Sequence, residues 1–168
     1  MKFGNGNLLS HTIDAASQIE NADTHIIHGA YADEISDTIN TTLPIHINPN
    51  WERGMGNSTA FGVGKVRDLG YDAVILTVCD QPYLEATRFE GLIEMYECGS
   101  AVDLVISKYT NGSGPPSLFD PRYFDQLCGL DGDDGSKSMV KCNMNRVGFA
   151  DFERGDIDVD HEEELLLF

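Results

Sequence analysis

Apolar residues recur at helical spacing from Asn7 to about Asn21, where Leu9, Ile13, Ala16 and Ile19 share a face. A short apolar run follows, Thr24 to His28, stopped by Gly29, and reads as a strand. The same alternation predicts a helix near Tyr31 to Ile39, a strand near Pro44 to Ile47, a loop from Asn48 to Gly56, and a helix from about Asn57 to Leu69. Asp72 to Val78 is rich in β-branched residues, has no polar alternation, and ends at Cys79-Asp80-Gln81-Pro82. Such a run predicts a central parallel strand buried on both faces.

Glu85 to Cys98 places Phe89, Leu92, Ile93 and Tyr96 on one helical face, and Asp103 to Ser107 reads as a further strand. Beyond it the rhythm changes. Asn111 to Pro116 predicts a loop leading into Ser117-Leu118-Phe119, and short helices are expected at Pro121 to Leu127 and Ser136 to Cys142, on either side of an acidic glycine loop, Gly129 to Gly135. Asp156 to Val159 reads as an extended edge or loop. Asp160, followed by Glu163 and then Leu165 to Leu167, suits a capped terminal helix. Strands taking turns with helices specify an α/β class with a mostly parallel sheet, and with no repeat or low-complexity linker the expectation is a single domain over residues 1–168.

Charge narrows the partners. Eleven Lys and Arg stand against 28 Asp and Glu, a net charge of −17, which argues against nucleic acid or an anionic membrane. A polyanionic substrate would have to be met by a few local bases or by a metal ion. Cys79, Cys98, Cys128 and Cys142 form no C-x-x-C pair and read as free thiols in a reducing cytosol. No apolar stretch approaches the ~18 residues of a membrane span, and Met1 to Gly6 lacks the apolar run of a signal peptide, so a soluble, cytoplasmic protein is expected.

Asp80 sits at the carboxyl end of a strand, where open α/β sheets bind ligands, and a carboxylate there suits Mg²⁺, which takes oxygen donors and keeps several waters. Read alone, it serves equally as a turn residue before proline. Asp156 and Asp158 flank Ile157; in an extended segment both carboxylates face one way while Ile157 points to the core, and either can join Asp80 in a two-carboxylate site. The plainer reading is a solvated acidic loop. Trp51 to Ser58 has glycines that let backbone approach a ligand and a helix start behind them, yet it matches neither G-x-G-x-x-G nor a P-loop. His11, His25, His28, His46 and His161 show no i,i+4 pairing, and no G-x-S-x-G elbow supports a hydrolase.

Taken in order, Asn48 to Ser58, Cys79 to Pro82, Gly114 to Phe119, Gly132 to Lys137 and Asp156 to Asp158 resemble the molybdenum cofactor cytidylyltransferase group of the NTP-transferase superfamily, over nearly the whole chain. The resemblance implies a Rossmann-like three-layer sheet fold. It implies transfer of a nucleoside monophosphate, CMP from CTP, to the phosphate of a molybdopterin-type cofactor, with release of pyrophosphate and a requirement for Mg²⁺. Asp80 then matches the metal-binding Asp of a G-D-Q-P turn in which Cys79 replaces the glycine, and Asp158 matches the second metal ligand. Gly54, Met55, Gly56, Asn57, Ser58, Gln81 and Pro82 fall on the nucleotide side. Gly114, Pro115, Pro116, Gly135 and Lys137 fall on the acceptor side, where Lys137 replaces a usual Arg and so keeps the charge without bidentate geometry. A homo-oligomer or a molybdoenzyme-maturation protein is the macromolecular partner the family allows.

One departure stands out. Family members begin with an apolar strand and a loop of the form L-A-A-G-x-S-x-R-M-G-x-x-K, whose amides, Arg and Lys hold the triphosphate. Here Met1 falls about where that loop ends and Lys2 at its last position, so the resemblance implies an N-terminally truncated sheet lacking its first central strand. Nucleotidyl transfer rests on positioning and charge neutralisation, and loss of the cradle predicts an inactive chain. Two alternatives stay open beside the cytidylyltransferase: nucleotidyl transfer with another NTP or acceptor, and a nucleotide-binding or scaffold relative without catalysis.

Overall fold

The structure, a computed structural model, describes residues 2–3, 6–99, 101–133, 137–159, 161 and 164. In chain order its strands and α-helices are β1 (Lys2–Phe3), β2 (Gly6–Asn7), α1 (Leu8–Ala16), β3 (Ile26–His28), α2 (Ala32–Ser36), β4 (Ile45–Ile47), α3 (Met55–Val66) and β5 (Val74–Leu76), then α4 (Ala86–Cys98), β6 (Leu104–Tyr109), β7 (Gly112–Phe119), α5 (Phe124–Cys128), α6 (Lys137–Cys142) and β8 (Val147–Asp151). The chain divides into two compact units, one of Met1–Asp23, Ile75–Leu118 and Arg146–Phe168, the other of Thr24–Val74 and Phe119–Asn145. The capped helix expected beyond Asp160 lies outside the described residues.

In the first unit, four strands are hydrogen-bonded in the order β5-β7-β6-β8. β6 and β8 run parallel, from Leu104 opposite Val147 to Lys108 opposite Asp151. Leu104 to Ser107 are all buried, so the doubly covered strand expected at Asp72 to Val78 is found at β6 instead. β5 is shortened to three half-buried residues at the end of the strand order. The stretch Asn111 to Pro116, expected as a loop, is mostly strand: β7 starts at Gly112 and runs through both prolines. Proline cannot donate to a ladder. Here side chains take up the carbonyls around it: Ser107 Oγ donates to Pro116 O at 2.7 Å, and Ser117 Oγ to Gly114 O at 3.0 Å. Two residues, Thr110 and Asn111, join β6 to β7, and only an antiparallel hairpin closes so tightly. β8 carries no strand expectation, because Gly148 breaks its apolar pattern.

The N-terminal helix is shorter than its periodicity suggests, ending at Ala16, and its buried residues are Leu8, Thr12 and Ala15, one position before three of the four expected. Asn7 caps it, its side-chain oxygen accepting from Ser10 N at 2.8 Å. Ala15, Leu84, Phe89 and Phe152 form the core of this unit, with Ile19, Ile75, Tyr83 and Tyr109 packed against them.

The second unit holds the parallel pair β3 and β4, registered from Ile26 opposite Ile45 to His28 opposite Ile47. Val63, Val66, Phe124 and Leu127 bury the α3 and α5 faces. α3 begins two residues before the expected Asn57, so Gly56, Asn57 and Ser58 lie in its first turn rather than at the edge of a loop.

Candidate active site

Beyond β5 the chain passes Cys79 and enters the Asp80-Gln81-Pro82 turn. The carbonyl of Asp80 accepts from the backbone N–H of Val159 at 2.9 Å, so the turn and the segment carrying Asp156 and Asp158 are joined. Asp158 is exposed and Asp80 half-buried. Asp156 has another task, its Oδ2 accepting from the Asn111 backbone N at 3.2 Å and from Asn111 Nδ2 at 3.1 Å, which ties it to the β6–β7 hairpin. The expected alternation across Ile157 is absent. A turn at residues 153–156 redirects the chain, leaving Ile157 half-buried and burying Phe152 and Val159.

Gln81 and Pro82, expected among the nucleotide contacts, are buried. The Gln81 amide, 2% exposed, is spent inside the protein. Its Nε2 donates to Gly155 O at 2.7 Å, with the Tyr109 hydroxyl at 3.1 Å and Pro115 O at 3.2 Å. Two of those neighbours are carbonyls, which only accept, and this fixes the orientation of the amide. Gln81 Oε1 is buried and has no hydrogen-bond partner among the described residues. The Tyr109 hydroxyl in turn donates to Pro115 O. Gly114 and Pro116, expected on the acceptor side, are likewise buried, and Gly114 admits no side chain, because a Cβ there would stand 2.5 Å from the Tyr109 hydroxyl oxygen. Gly114 to Pro116 thus make internal contacts in the structure. Gly135 lies outside the described residues, as does the side chain of Lys137.

The Tyr109 phenol is pushed up to about 12, chiefly by burial; the hydrogen bond from Gln81 pulls the other way, while the charges of Asp158, Asp80 and Asp156 raise it further. The fields of three carboxylates therefore meet at one hydroxyl. Among the described residues no cluster of three or more His, Cys, Asp or Glu is placed to hold a metal ion. Two carboxylates are enough for Mg²⁺, which completes its shell with water and substrate phosphate. The donor set fits that cation: it is oxygen only, in a strongly negative field. The adjacent Cys79 thiol is pushed up, first by the protein atoms crowding its sulfur and then by the Asp80 charge, so it stays a neutral thiol near pH 7.

In the second unit Gly54 has φ +102, and a Cβ on it would lie 2.6 Å from Gly132 O and from Asp133 Oδ1. Glycine is required there on both counts. The N–H of Gly56 donates to Gly132 O at 2.8 Å, so the expected nucleotide loop and the first residues of the expected acceptor loop touch. Met55 is exposed. Asn48, fully buried, organises the rest: its Nδ2 donates to Asn57 Oδ1 and Ser58 Oγ, both at 3.1 Å, and its Oδ1 accepts from Asn50 N at 3.0 Å. A cavity of about 480 Å³ opens here, with Asn48, Asn50, Asn57, Phe61, Arg53 and Asp131 in its wall. Arg53 Nη2 meets Asp131 Oδ2 at 2.5 Å, and this holds the Asp131 carboxyl below the usual range.

Tyr109, Gly155 and the Arg53–Asp131 pair were not among the sequence candidates. Gly155 stands directly before Asp156-Ile157-Asp158, Arg53 within the Trp51 to Ser58 loop and Asp131 within the acidic glycine loop, whereas Tyr109 carried no signal.

Residues 1–147 match the profile of the MobA-like NTP transferase domain. The chain belongs to the MobA-like NTP transferase family. Purine catabolism protein PucB of Bacillus subtilis (strain 168) is 27% identical over 127 residues, covering 73% of this chain and 60% of that protein, so the chain spans about three fifths of its curated relative. Rv0371c of Mycobacterium tuberculosis H37Rv superposes with a TM-score of 0.84 at 22% identity, over 100% of this chain and 87% of its own. A manganese complex of Rv0371C from the same organism gives 0.83 at 20% identity, over 100% and 90%. The expected α/β nucleotidyltransferase fold is borne out at this level. Among the described residues no helix is long and apolar enough to cross a membrane, and all four cysteines are free.

Proposed function

We propose that this MobA-like domain transfers a nucleoside monophosphate, with CTP as donor, to the phosphate of a molybdopterin-type cofactor. An acceptor phosphate oxygen attacks the α-phosphorus of CTP; the new P–O bond forms as the bond to the α–β bridging oxygen breaks, and pyrophosphate leaves with the electron pair. Asp80 and Asp158 would hold Mg²⁺, which supplies charge neutralisation at the phosphates when bound. One observation carries the reading: the Asp80 turn and the Asp158 segment are hydrogen-bonded to each other, through the Val159 N–H and Asp80 O at 2.9 Å.

In the second unit the Asn48-ordered amides, Phe61 and Arg53 suit a planar heterocycle that reads hydrogen bonds, as both a pyrimidine base and a pterin do. Gly54 to Ser58 stay on the nucleotide side, and Gly135 and Lys137 on the acceptor side, with Lys137 as a point charge for phosphate. We further propose that the protein works in the cytoplasm.

Pyrophosphate release from each NTP with a pterin acceptor tests this in the 168-residue protein. Turnover with CTP, lost in Asp80→Ala and Asp158→Ala, is the expected result. Preference for GTP or for a non-pterin acceptor would retain the transferase and change its substrate. Nucleotide binding without release in any combination would make it a binding protein.

A further inference from the structure

The segment bearing Asp158 is pinned at two points to the dipeptide that carries Asp80. On one side Gly155 O accepts from Gln81 Nε2 at 2.7 Å, and on the other the Val159 N–H donates to Asp80 O at 2.9 Å. Asp156 to Asp158 span the interval between these ties. We propose that Gln81 and Tyr109 are positioning residues that set the separation of the Asp80 and Asp158 carboxylates, a deepening that rests on the metal-dependent reading above.

The argument is geometric. The Val159 bond is backbone to backbone and no side-chain change removes it, so the Gln81 tie is the adjustable one. Its amide is held on the far side as well, because the Tyr109 hydroxyl and Pro115 O share its second N–H. Tyr109 can only accept from Gln81 if its own proton goes to Pro115 O, which is the arrangement found. The phenol stays protonated at neutral pH, its titration being pushed up to about 12. The ring cannot shift either, with Gly114 and Gly155 against it and Phe152 edge-on at 6.0 Å between centroids. Three chain segments, the Asp80 turn, β7 and residues 155–159, thereby converge on one buried amide.

Manganese(II) is the probe, followed by its electron paramagnetic resonance signal during titration of the full-length protein at a temperature far below unfolding. Tyr109→Phe keeps the ring and removes the hydroxyl; Gln81→Met keeps the volume and removes the donor. Partners that orient metal ligands are typically worth 10–100-fold in affinity, and each variant is expected to bind manganese at least about tenfold more weakly while remaining folded. In turnover, kcat falls and the KM for nucleotide holds. A merely structural role would lower the melting temperature and leave the affinity of the folded protein unchanged, which would overturn the inference. Should Gln81→Met not fold, Tyr109→Phe decides alone. Parent protein that binds manganese in a manner abolished by Asp80→Ala, with both variants equal to parent, sinks only the positioning role. Parent protein that binds no manganese sinks the metal reading and the positioning role together.

Discussion

The ring of Tyr109 rests so close to the α-carbon of Gly155 that a methyl group there would stand 2.5 Å from its Cδ1 and 2.6 Å from Cδ1 of Phe152. Neither ring can retreat, since Phe152 is fully buried in the core and Tyr109 is held by its hydroxyl. Gly155→Ala is therefore expected to destabilise the protein by about 1–3 kcal/mol, the usual range for overpacking. Urea denaturation measures it, and a double variant with Tyr109→Leu should cost less than the sum of the singles, because the leucine removes the clash. Strict additivity would mean that the two residues do not press on each other.

This contact also explains which parts of the fold were legible beforehand. The helix-strand alternation, the Asp80 turn and the helix at Glu85 to Cys98 followed from local periodicity, which short-range sterics and burial dictate. β7 did not, because Gly-Ser-Gly-Pro-Pro reads as a loop until side chains of the adjacent β6, Ser107 and Tyr109, and the sequence-distant Gln81 are seen to donate to its proline carbonyls. Asp80 was visible as a carboxylate at a strand-end turn and Asp158 as one of a pair in an extended segment. The buried role of Gln81 was not, since a glutamine next to a strand-end aspartate looks like a ligand contact until its neighbours are known.

A raised phenol pKa makes stability depend on pH in the alkaline range. The charged form of tyrosine is the deprotonated one, and burial disfavours it, so the native state holds this proton more tightly than the unfolded chain, where tyrosine titrates near 10. The stabilisation is fully present below about pH 10 and lost as pH rises through about 12. Denaturation midpoints from pH 8 to 12 should fall more steeply for the parent than for Tyr109→Phe, with tyrosinate absorbance reporting the titration. Parallel curves would show that Tyr109 is not the group responsible.

The second unit has an acid-side counterpart. His25 and His46 stack with ring centroids 5.3 Å apart, and Nδ1 of the first lies 3.0 Å from Nε2 of the second. Burial first, then His25 and Lys65, lower the His46 pKa from its ordinary 6.5. A depressed pKa means that the native state favours neutral imidazole, so this contribution is complete above about pH 6.5 and disappears as pH falls below it. Comparing thermal melts at pH 5 and pH 8, the loss on acidification should be smaller in His46→Gln than in the parent. Histidine ring proton shifts followed by NMR should place the His46 midpoint below that of a free imidazole; a midpoint at or above it would contradict the stacked arrangement.

At the opposite end of β6, Arg146 grips Asp103 through Nε and through Nη2 at 2.8 Å, and the Asp103 N–H donates to Arg146 O at 3.0 Å. The pair stands immediately before Leu104 and Val147, the first partners of the parallel β6–β8 ladder, so it closes the end of that ladder. Asp103 is buried while the Arg146 side chain is 39% exposed. Removing the arginine withdraws two charge-assisted hydrogen bonds from a buried carboxylate. For a fully buried pair that costs about 3–5 kcal/mol, and the partial exposure of Arg146 moves the expectation for Arg146→Ala to the lower end, roughly 3 kcal/mol. Arg146→Lys should recover part of this, because an ammonium keeps the charge but cannot present two parallel N–H groups to both oxygens. The double variant Asp103→Leu with Arg146→Met should be far less destabilised than Arg146→Ala alone, since no carboxylate is then left buried without its counter-ion. Urea denaturation of the three variants, with hydrogen exchange at Leu104 and Val147, measures both the global cost and the loosening of the ladder. A loss below about 1 kcal/mol for Arg146→Ala, the range of exposed pairs, would show that water replaces the guanidinium and that the pair does not hold the strands.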